Sequence, residues 1–443
     1  MHAVRTSSAI LLAFGVIVGA AAITPSLAES SRSSIKALSV PKDWTLQGVV
    51  LLSRHGLRSP VEPVADLDAL TVSQWPNYGV KTGYLLPQGY ARARTLGEFY
   101  RLYYSKAGLF PNTSGYCPKP SAATFSYDGT GKRQDPAGVQ RVEMTAMALA
   151  QGMFPGCDLP ISAAKGTFGS SCQLDQDRED KAARKFVGGS WQAVAEGELK
   201  KPLALMSEAL GPFKTSSCSG VAVTAGSTLS DYSATVTDEG PIGCADELSE
   251  NFLMQYEAGF PIDEVAFGRL GRGKELVGNL KTVNKIHALD FAAWDMPLYI
   301  ARRTSSRLAS VILQSVDHIA SNSGKTPKFL ALVGHDTDLL NIGGMLGSTW
   351  VVPSYNKNQA PPAGAIIFEV WQTKGGPLVR SLYVAQQVVQ MRRNQKMTMK
   401  SPPGATRMPV AGCDDHHGAC ELQQFTARLG RTILEECVGH DSQ

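Results

Sequence analysis

Two segments far apart in the chain share one plan: a short apolar run, a polar turn carrying a histidine, then a helical pattern. In the first, Val49-Val50-Leu51-Leu52 leads into Arg54-His55-Gly56-Leu57-Arg58. In the second, Phe329 to Val333 leads into His335-Asp336-Thr337-Asp338, about 280 residues downstream. Continuous apolar runs of this length, bounded by turn residues, read as strands buried on both faces, which points to a sheet covered by helices. Two such strand-turn-helix units place their polar clusters at strand carboxyl ends, where open α/β sheets bind ligands. The expected fold class is α/β. The first turn also poses a chemical question, because turns favour Gly, Asn or Asp over two guanidinium groups. Arg54 and Arg58 around the imidazole of His55 make a place prepared for an anion.

Hydropathy patterning fills in the remaining architecture. A helix is expected over residues 89–110, with Leu96, Phe99, Tyr100, Tyr103 and Tyr104 at helical spacing and a break at Gly108. A second is expected over 138–157, with Val139, Val142, Ala146, Leu149 and Met153 on one face and Pro155-Gly156 as its stop. Residues 173–290 change character: charged helical patterns dominate, interrupted by a Gly/Ser/Thr stretch near 216–237, and they read as a mainly α-helical inserted domain. One long helix is expected over 291–320, and residues 29–44, rich in serine, read as a loose lead-in. This leaves 45–172 and 291–443 as the α/β domain.

The N-terminus bears on the compartment. His2 and Arg5 precede an apolar segment from Ala9 to Ile23, and Ser26-Leu27-Ala28 offers small residues at a cleavage site. Residues 1–28 therefore read as a secretory signal peptide, the apolar segment being short for a membrane span. Eight cysteines, at 117, 157, 172, 218, 244, 413, 420 and 437, suit export to an oxidising compartment, periplasmic or secreted. They include no CxxC pair, and the tract "CDDHHGAC" (413–420) fits no zinc spacing, so disulfides are expected and no metal. A net charge of +4, with no basic block, gives no footprint for nucleic acid, and no second apolar span points to a membrane partner in the mature form.

Together the two turns supply two imidazoles, two guanidiniums and a carboxyl group. Arginine's planar fork donates paired hydrogen bonds to phosphate oxygens and stays charged. A neutral imidazole is a nucleophile that keeps its reactivity in mildly acid solution. A protonated carboxyl can donate to a departing alkoxide. Phosphoryl transfer needs little beyond these, positioning and charge neutralisation.

"RHGLRSP" resembles the RHGxRxP signature of the histidine acid phosphatases, and "GHDT" resembles their second, HD-containing signature. The likeness extends to "PPAGAIIFEVW", "MTMKSPPG" and "AGCDDHHGACEL", which are similar to the C-terminal third of bacterial phytases and acid phosphatases, while "FPGCDLP" is similar to periplasmic glucose-1-phosphatases. The resemblance implies a mixed-sheet α/β catalytic domain with a helical insertion, a covalent phosphohistidine and no metal or other cofactor. It makes His55 the nucleophile and Asp336 the proton donor. Arg54, Arg58, His335 and a further helix arginine, matched by Arg141 in "VQRVEMTA", would hold the phosphate; Val142 departs from the usual threonine. Disulfides 117–157, 172–437, 218–244 and 413–420 are likewise implied by the resemblance.

The expected function is an exported phosphomonoesterase acting on a small-molecule ester, whether a sugar phosphate, an aryl phosphate or phytate. A phosphoglycerate-mutase-like phosphotransferase and a non-catalytic phospho-ligand module are the alternatives. Phytases of this type tend to carry a basic residue after the first signature; Val61-Glu62 follows here, and Asp338 adds a second acid, favouring sugar phosphates if both face the pocket. Two other features carry little weight. "GRLGRGK" (268–274) approaches a P-loop pattern but has Glu275 in place of Ser or Thr and no preceding strand, and His287 reads as a satisfied structural histidine.

Overall fold

The computed structural model describes residues 27–131, 134–215, 217–218, 221–232, 240–413 and 418–439. Residues 1–26, which hold most of the expected signal peptide, and 414–417, the centre of the Cys/His tract, lie outside the described residues.

The strands are β1 (Thr45–Arg54), β2 (Ala123–Tyr127), β3 (Ile161–Ala163), β4 (Ser217–Cys218), β5 (Val221–Ala222), β6 (Phe329–Gly334), β7 (Ala365–Thr373), β8 (Gly376–Ala385), β9 (Gly404–Arg407) and β10 (Ala419–Glu421). One mixed sheet runs β10-β8-β7-β1-β6-β2-β3, with β9 also beside β8. β1, β6, β2 and β3 are parallel, whereas the β1–β7 and β7–β8 pairs are antiparallel. The two apolar runs are thus adjacent strands, and Arg54 lies opposite Gly334 in register. That pairing brings both histidine turns to one edge of the sheet.

Helices α1 (Leu27–Leu38), α2 (Val64–Leu70), α3 (Pro87–Lys106) and α4 (Pro136–Met153) belong to the first half of the chain. From β3 to β6 the described elements are mostly helical: α5 (Gln176–Phe186), α6 (Trp191–Glu196), α7 (Lys200–Leu210), α8 (Pro241–Ala258), α9 (Gly273–Val283), α10 (Lys285–Asp295) and α11 (Leu298–Ala320), broken by the β4–β5 pair and short 3-10 turns. α12 (Asp336–Leu346) follows β6 directly.

Alternation along β1 explains the layering, because successive side chains point to opposite faces. Val49 and Leu51 pack with the aromatics of α3 and the apolar face of α4. Val50 and Leu52 pack on the other side with α11, α12 and the helices of residues 191–296. All five expected face residues of α4 are buried, as are Leu96, Phe99, Tyr100, Tyr103 and Tyr104 of α3. Burying a strand on both faces leaves no solvated side, which is why the runs read as continuously apolar.

Two expectations are corrected. Residues 29–44 are not wholly a loose lead-in: α1 covers 27–38, places Ala37 and Leu38 in the core, and its Ser34 hydroxyl accepts from the Ala405 N–H at 3.1 Å. Its serines concealed an amphipathic pattern. The long helix of 291–320 is two helices, since α10 ends at Asp295 and α11 begins after Pro297, whose ring and missing N–H bar a continuous ladder. "GRLGRGK" forms a turn leading into the first residues of α9, with no strand before it.

Four disulfides close, 117–157, 172–437, 218–244 and 413–420. Cys413 and Cys420 are therefore bonded to each other and are not thiolate ligands. Such pairing belongs to an exported chain. Among the described residues, no helix is long and apolar enough to cross a membrane.

Candidate active site

The site grows from the end of β1. The His55 amide donates to the Gly334 carbonyl at 2.9 Å, and the His55 carbonyl accepts from Ala363 N–H at 2.8 Å, so the backbone here is fixed by the end of β6 and by the segment leading into β7. Gly56 N–H donates to the Thr145 hydroxyl of α4 at 2.8 Å. Gly89, in the first turn of α3, lies so close to the Leu57 backbone that any Cβ would collide with it. Side-chain-free positions let α3 clamp the loop.

His55 is buried, and its Nδ1 lies 2.8 Å from the Gly56 carbonyl. A carbonyl only accepts, so Nδ1 carries the proton and Nε2 keeps a free lone pair. Burial, then Arg141, Arg54, His335 and Arg58, hold this imidazole well below the ordinary histidine range. It is thus a neutral imidazole with a free Nε2 lone pair even in acid solution. The His335 ring stands edge-on to it with centroids 5.5 Å apart, and burial and Arg141 lower His335 also.

Asp336 opens α12. Its Oδ2 pairs with Arg54 Nη2 at 2.7 Å, and its Oδ1 accepts from Thr337 N–H at 3.1 Å. Arg141, from the first turns of α4, is buried and reaches Asp135 at 3.5 Å, while its Nε has no hydrogen-bond partner among the described residues. Arg58 lies beside Glu247 and Glu250. All six residues singled out in the sequence, His55, Asp336, Arg54, Arg58, Arg141 and His335, therefore gather in one cluster.

Three acids and a base in the cluster were not assigned to it from sequence. Glu250 of α8 is buried and accepts from Arg54 Nη1 at 2.5 Å, Arg54 Nη2 at 3.0 Å, Arg58 Nη2 at 3.0 Å and His287 Nε2 at 3.0 Å. His287 Nδ1 lies 2.6 Å from Asp246. Glu247 reaches Arg58 Nη2 at 2.9 Å from a side chain 22% exposed. His287 is indeed a satisfied buried histidine, but its partners join it to Arg54. Burial would raise Glu250; Arg54, His287 and Arg58 outweigh that and hold it well below the ordinary carboxylate range. Conversely, burial would lower His287, and Glu250 and Asp246 hold it well above the histidine range. Burial pushes Asp246 up to about 6 against the pull of His287.

A signal for these acids was present. α8 is apolar around much of its circumference (Ile242, Ala245, Leu248, Phe252, Leu253), so Asp246, Glu247 and Glu250 had no broad solvated face to occupy. Buried carboxylates require partners.

Asp338 does not act as a fixed charge toward the pocket. Its Oδ2 accepts from His335 N–H at 2.8 Å, capping α12, and burial pushes it up to about 7. The same carboxylate fills the space a Gly334 Cβ would need. Glu62 stays within electrostatic reach of Arg58 and Asp246, and burial raises it.

Glu250, His287 and Asp336 offer ligand atoms within 4.8 Å of one another. Arg54 already engages both carboxylates, so the group is built around a guanidinium and not around a metal cation.

A neutral, pre-oriented imidazole among three arginines, at the carboxyl edge of this sheet, defines a phosphoryl-transfer site of the histidine phosphatase type. The chain matches the histidine phosphatase superfamily (branch 2) over residues 45–189 and 279–384 and belongs to that family. It is 26% identical to Phytase AppA of Escherichia coli over 419 residues, covering 88% of this chain and 93% of the relative. It is 26% identical to Glucose-1-phosphatase of Salmonella typhimurium over 409 residues, covering 89% and 94%. The fold superposes on Hafnia Alvei phytase in complex with myo-inositol hexakis sulphate with a TM-score of 0.74 at 27% identity, covering 90% of this chain and 99% of that one. The protein is a phosphoric monoester hydrolase acting on a small-molecule phosphate ester.

Proposed function

We propose that this chain is a periplasmic or secreted acid phosphatase in which His55 Nε2 attacks the phosphorus of a phosphate monoester. The attack forms a phosphohistidine and expels the alcohol, and water then cleaves the N–P bond to release phosphate. The observation that carries this reading is the His55 Nδ1–H donated to the Gly56 carbonyl at 2.8 Å, which leaves Nε2 bare inside an arginine cluster. Arg54, Arg58, Arg141 and His335 bind the phosphoryl oxygens and stabilise the charge of the transition state. Asp336 delivers the proton to the leaving oxygen. In the free protein Arg54 holds Asp336, so a phosphate that takes the Arg54 donors also releases the acid.

Residues 45–172 and 291–443 form the catalytic α/β domain in this reading, and the inserted 173–290 segment supplies Asp246, Glu247, Glu250 and His287. The relatives named as a phytase and a glucose-1-phosphatase support phytate and sugar phosphates as the substrate classes. The acids Glu62 and Glu247 beside Arg58 favour the singly phosphorylated sugars.

The covalent step is tested by quenching the enzyme with radiolabelled substrate in denaturant. An acid-labile, base-stable phosphoryl label is expected on the wild type, and His55→Ala should lose label and turnover together while keeping its melting temperature. Label persisting in that variant would exclude His55 as the nucleophile.

A further inference from the structure

Glu247 stands apart from the other acids of the cluster. Glu250 is locked by four donors from three side chains, and Asp336 is tied to both Arg54 and the Thr337 amide. Among the described residues Glu247 has one strong partner, Arg58 Nη2 at 2.9 Å, and its side chain is 22% exposed where that of Glu250 is 3% exposed. Among the described residues, Arg58 in turn has only the Ser59 carbonyl, at 3.3 Å, as a hydrogen-bond acceptor beyond its two glutamates. Both protons of Arg58 Nη2 go to carboxylates, so a phosphoryl oxygen that is to bind this nitrogen must take a donor away from one of them. Glu250 cannot withdraw without also giving up two donors from Arg54 and one from His287. Glu247, at the rim, can rotate outward or take up a proton.

We propose that Glu247 is a positioning residue that sets specificity: its carboxylate competes with substrate phosphate for Arg58. It thereby weakens phosphate binding as the solution approaches neutrality and disfavours polyanionic esters. The inference rests on the phosphatase reading of the site and adds to it a competing internal anion.

The groups facing Glu247 come from three sides. Arg58 and Glu62 lie on the loop after β1, Asp246 and Glu250 on its own helix, and His287 on α10, with Arg54 behind. Burial raises Glu247 above the ordinary glutamate range, Glu250 and Glu62 push the same way, and Arg58 and His287 oppose. At acid pH Glu247 is neutral, accepts only weakly from Arg58, and leaves the guanidinium to phosphate. As pH rises through its elevated titration, the carboxylate forms and occupies the guanidinium. A second or third phosphate on the same substrate meets this charge, and that of Glu62, as unscreened like charge.

The test measures orthophosphate affinity by calorimetry, and kcat/KM for glucose 1-phosphate and phytate, in wild type and Glu247→Gln. Values at about pH 4 and about pH 7 bracket the ordinary glutamate range and its elevated side. Because orthophosphate titrates identically in both proteins, the variant-to-wild-type ratio isolates Glu247. That ratio is expected to be near one at the acid end and to rise to about tenfold at the neutral end, the equivalent of one pH unit of competition. The gain in kcat/KM should be larger for phytate than for glucose 1-phosphate. A ratio that does not change with pH, or equal gains on both esters, would overturn the proposal. Glu247→Ala repeats the measurement should the glutamine variant fold poorly. If neither protein binds orthophosphate, the phosphatase reading itself fails. If both bind it equally while His55 still takes up label, only the role of Glu247 fails.

Discussion

Glu250 offers the sharpest energetic test of the cluster. Oε1 accepts from Arg54 Nη1 at 2.5 Å and His287 Nε2 at 3.0 Å, while Oε2 accepts from Arg54 Nη2 and Arg58 Nη2, both at 3.0 Å. In Glu250→Gln the amide NH2 must therefore face a cationic donor whichever way it is turned. Removing one member of a buried ion network leaves uncompensated charge, at a cost of about 3–5 kcal/mol, against total stabilities of about 5–15 kcal/mol. At roughly 2–4 °C per kcal/mol, the melting temperature should fall on the order of 10 °C. The pH dependence has a definite sign. Glu250, held well below its unfolded value, stabilises fully above the ordinary carboxylate range and loses that contribution only as pH falls through its depressed folded value. His287, held well above its unfolded value, stabilises fully below about pH 6.5 and loses that contribution as pH rises through its folded value. The two overlap in mildly acid solution, so the wild type should be most stable there. Scanning calorimetry of both proteins across pH, with chemical denaturation as a second measure, decides the matter. A variant within about 1 kcal/mol of wild type at mildly acid pH would show that the network is not held by charge.

Two further substitutions address the chemistry. Arg58→Lys keeps the charge but loses the planar fork that can bind phosphate and Glu250 together; kcat/KM should fall by several-fold to a hundredfold or more, about 1–3 kcal/mol of transition-state binding, and near-normal kinetics would place Arg58 outside the reaction. Asp336→Asn should slow glucose 1-phosphate hydrolysis by about a hundredfold or more, yet affect nitrophenyl phosphate far less, because a stable phenolate departs without a proton. Equal losses on both esters would remove the proton-donor role.

The fold and half of the site were legible because they obey local rules. A strand buried on both faces writes itself as Val49-Val50-Leu51-Leu52, and a pyramid of aromatic spacings marks α3. The motif residues sit within a few positions of a strand end, so their convergence needs only that β1 and β6 be neighbours. Other features depended on long-range packing. α1 is a helix whose serines include Ser34, buried against Ala405 some 370 residues away, and nothing local announces that partner. Pro297 marks the break before α11, but the apolar pattern on either side of it is long enough to read as one helix.

The acids of α8 show why the other half was harder to read, and what it does. On a helix drawn alone, Asp246, Glu247 and Glu250 are surface charge; buried against the loop after β1, they become counter-ions for Arg54, Arg58 and His287. Three guanidiniums and a raised histidine packed together without anions would repel strongly in a low-dielectric interior, so a phosphate-binding cluster needs internal carboxylates merely to fold. Those carboxylates then compete with the substrate for the donors it must use. The competition is harmless where the carboxylate is buried and shares its guanidinium with the ligand, as Glu250 can with Arg54. It becomes selective where the carboxylate is exposed enough to take up a proton or to swing aside, and Glu247 is the member of the α8 triad with that freedom. Folding stability and substrate preference in this protein are thus set by the same few charges, contributed by a helix that carries none of the signature residues.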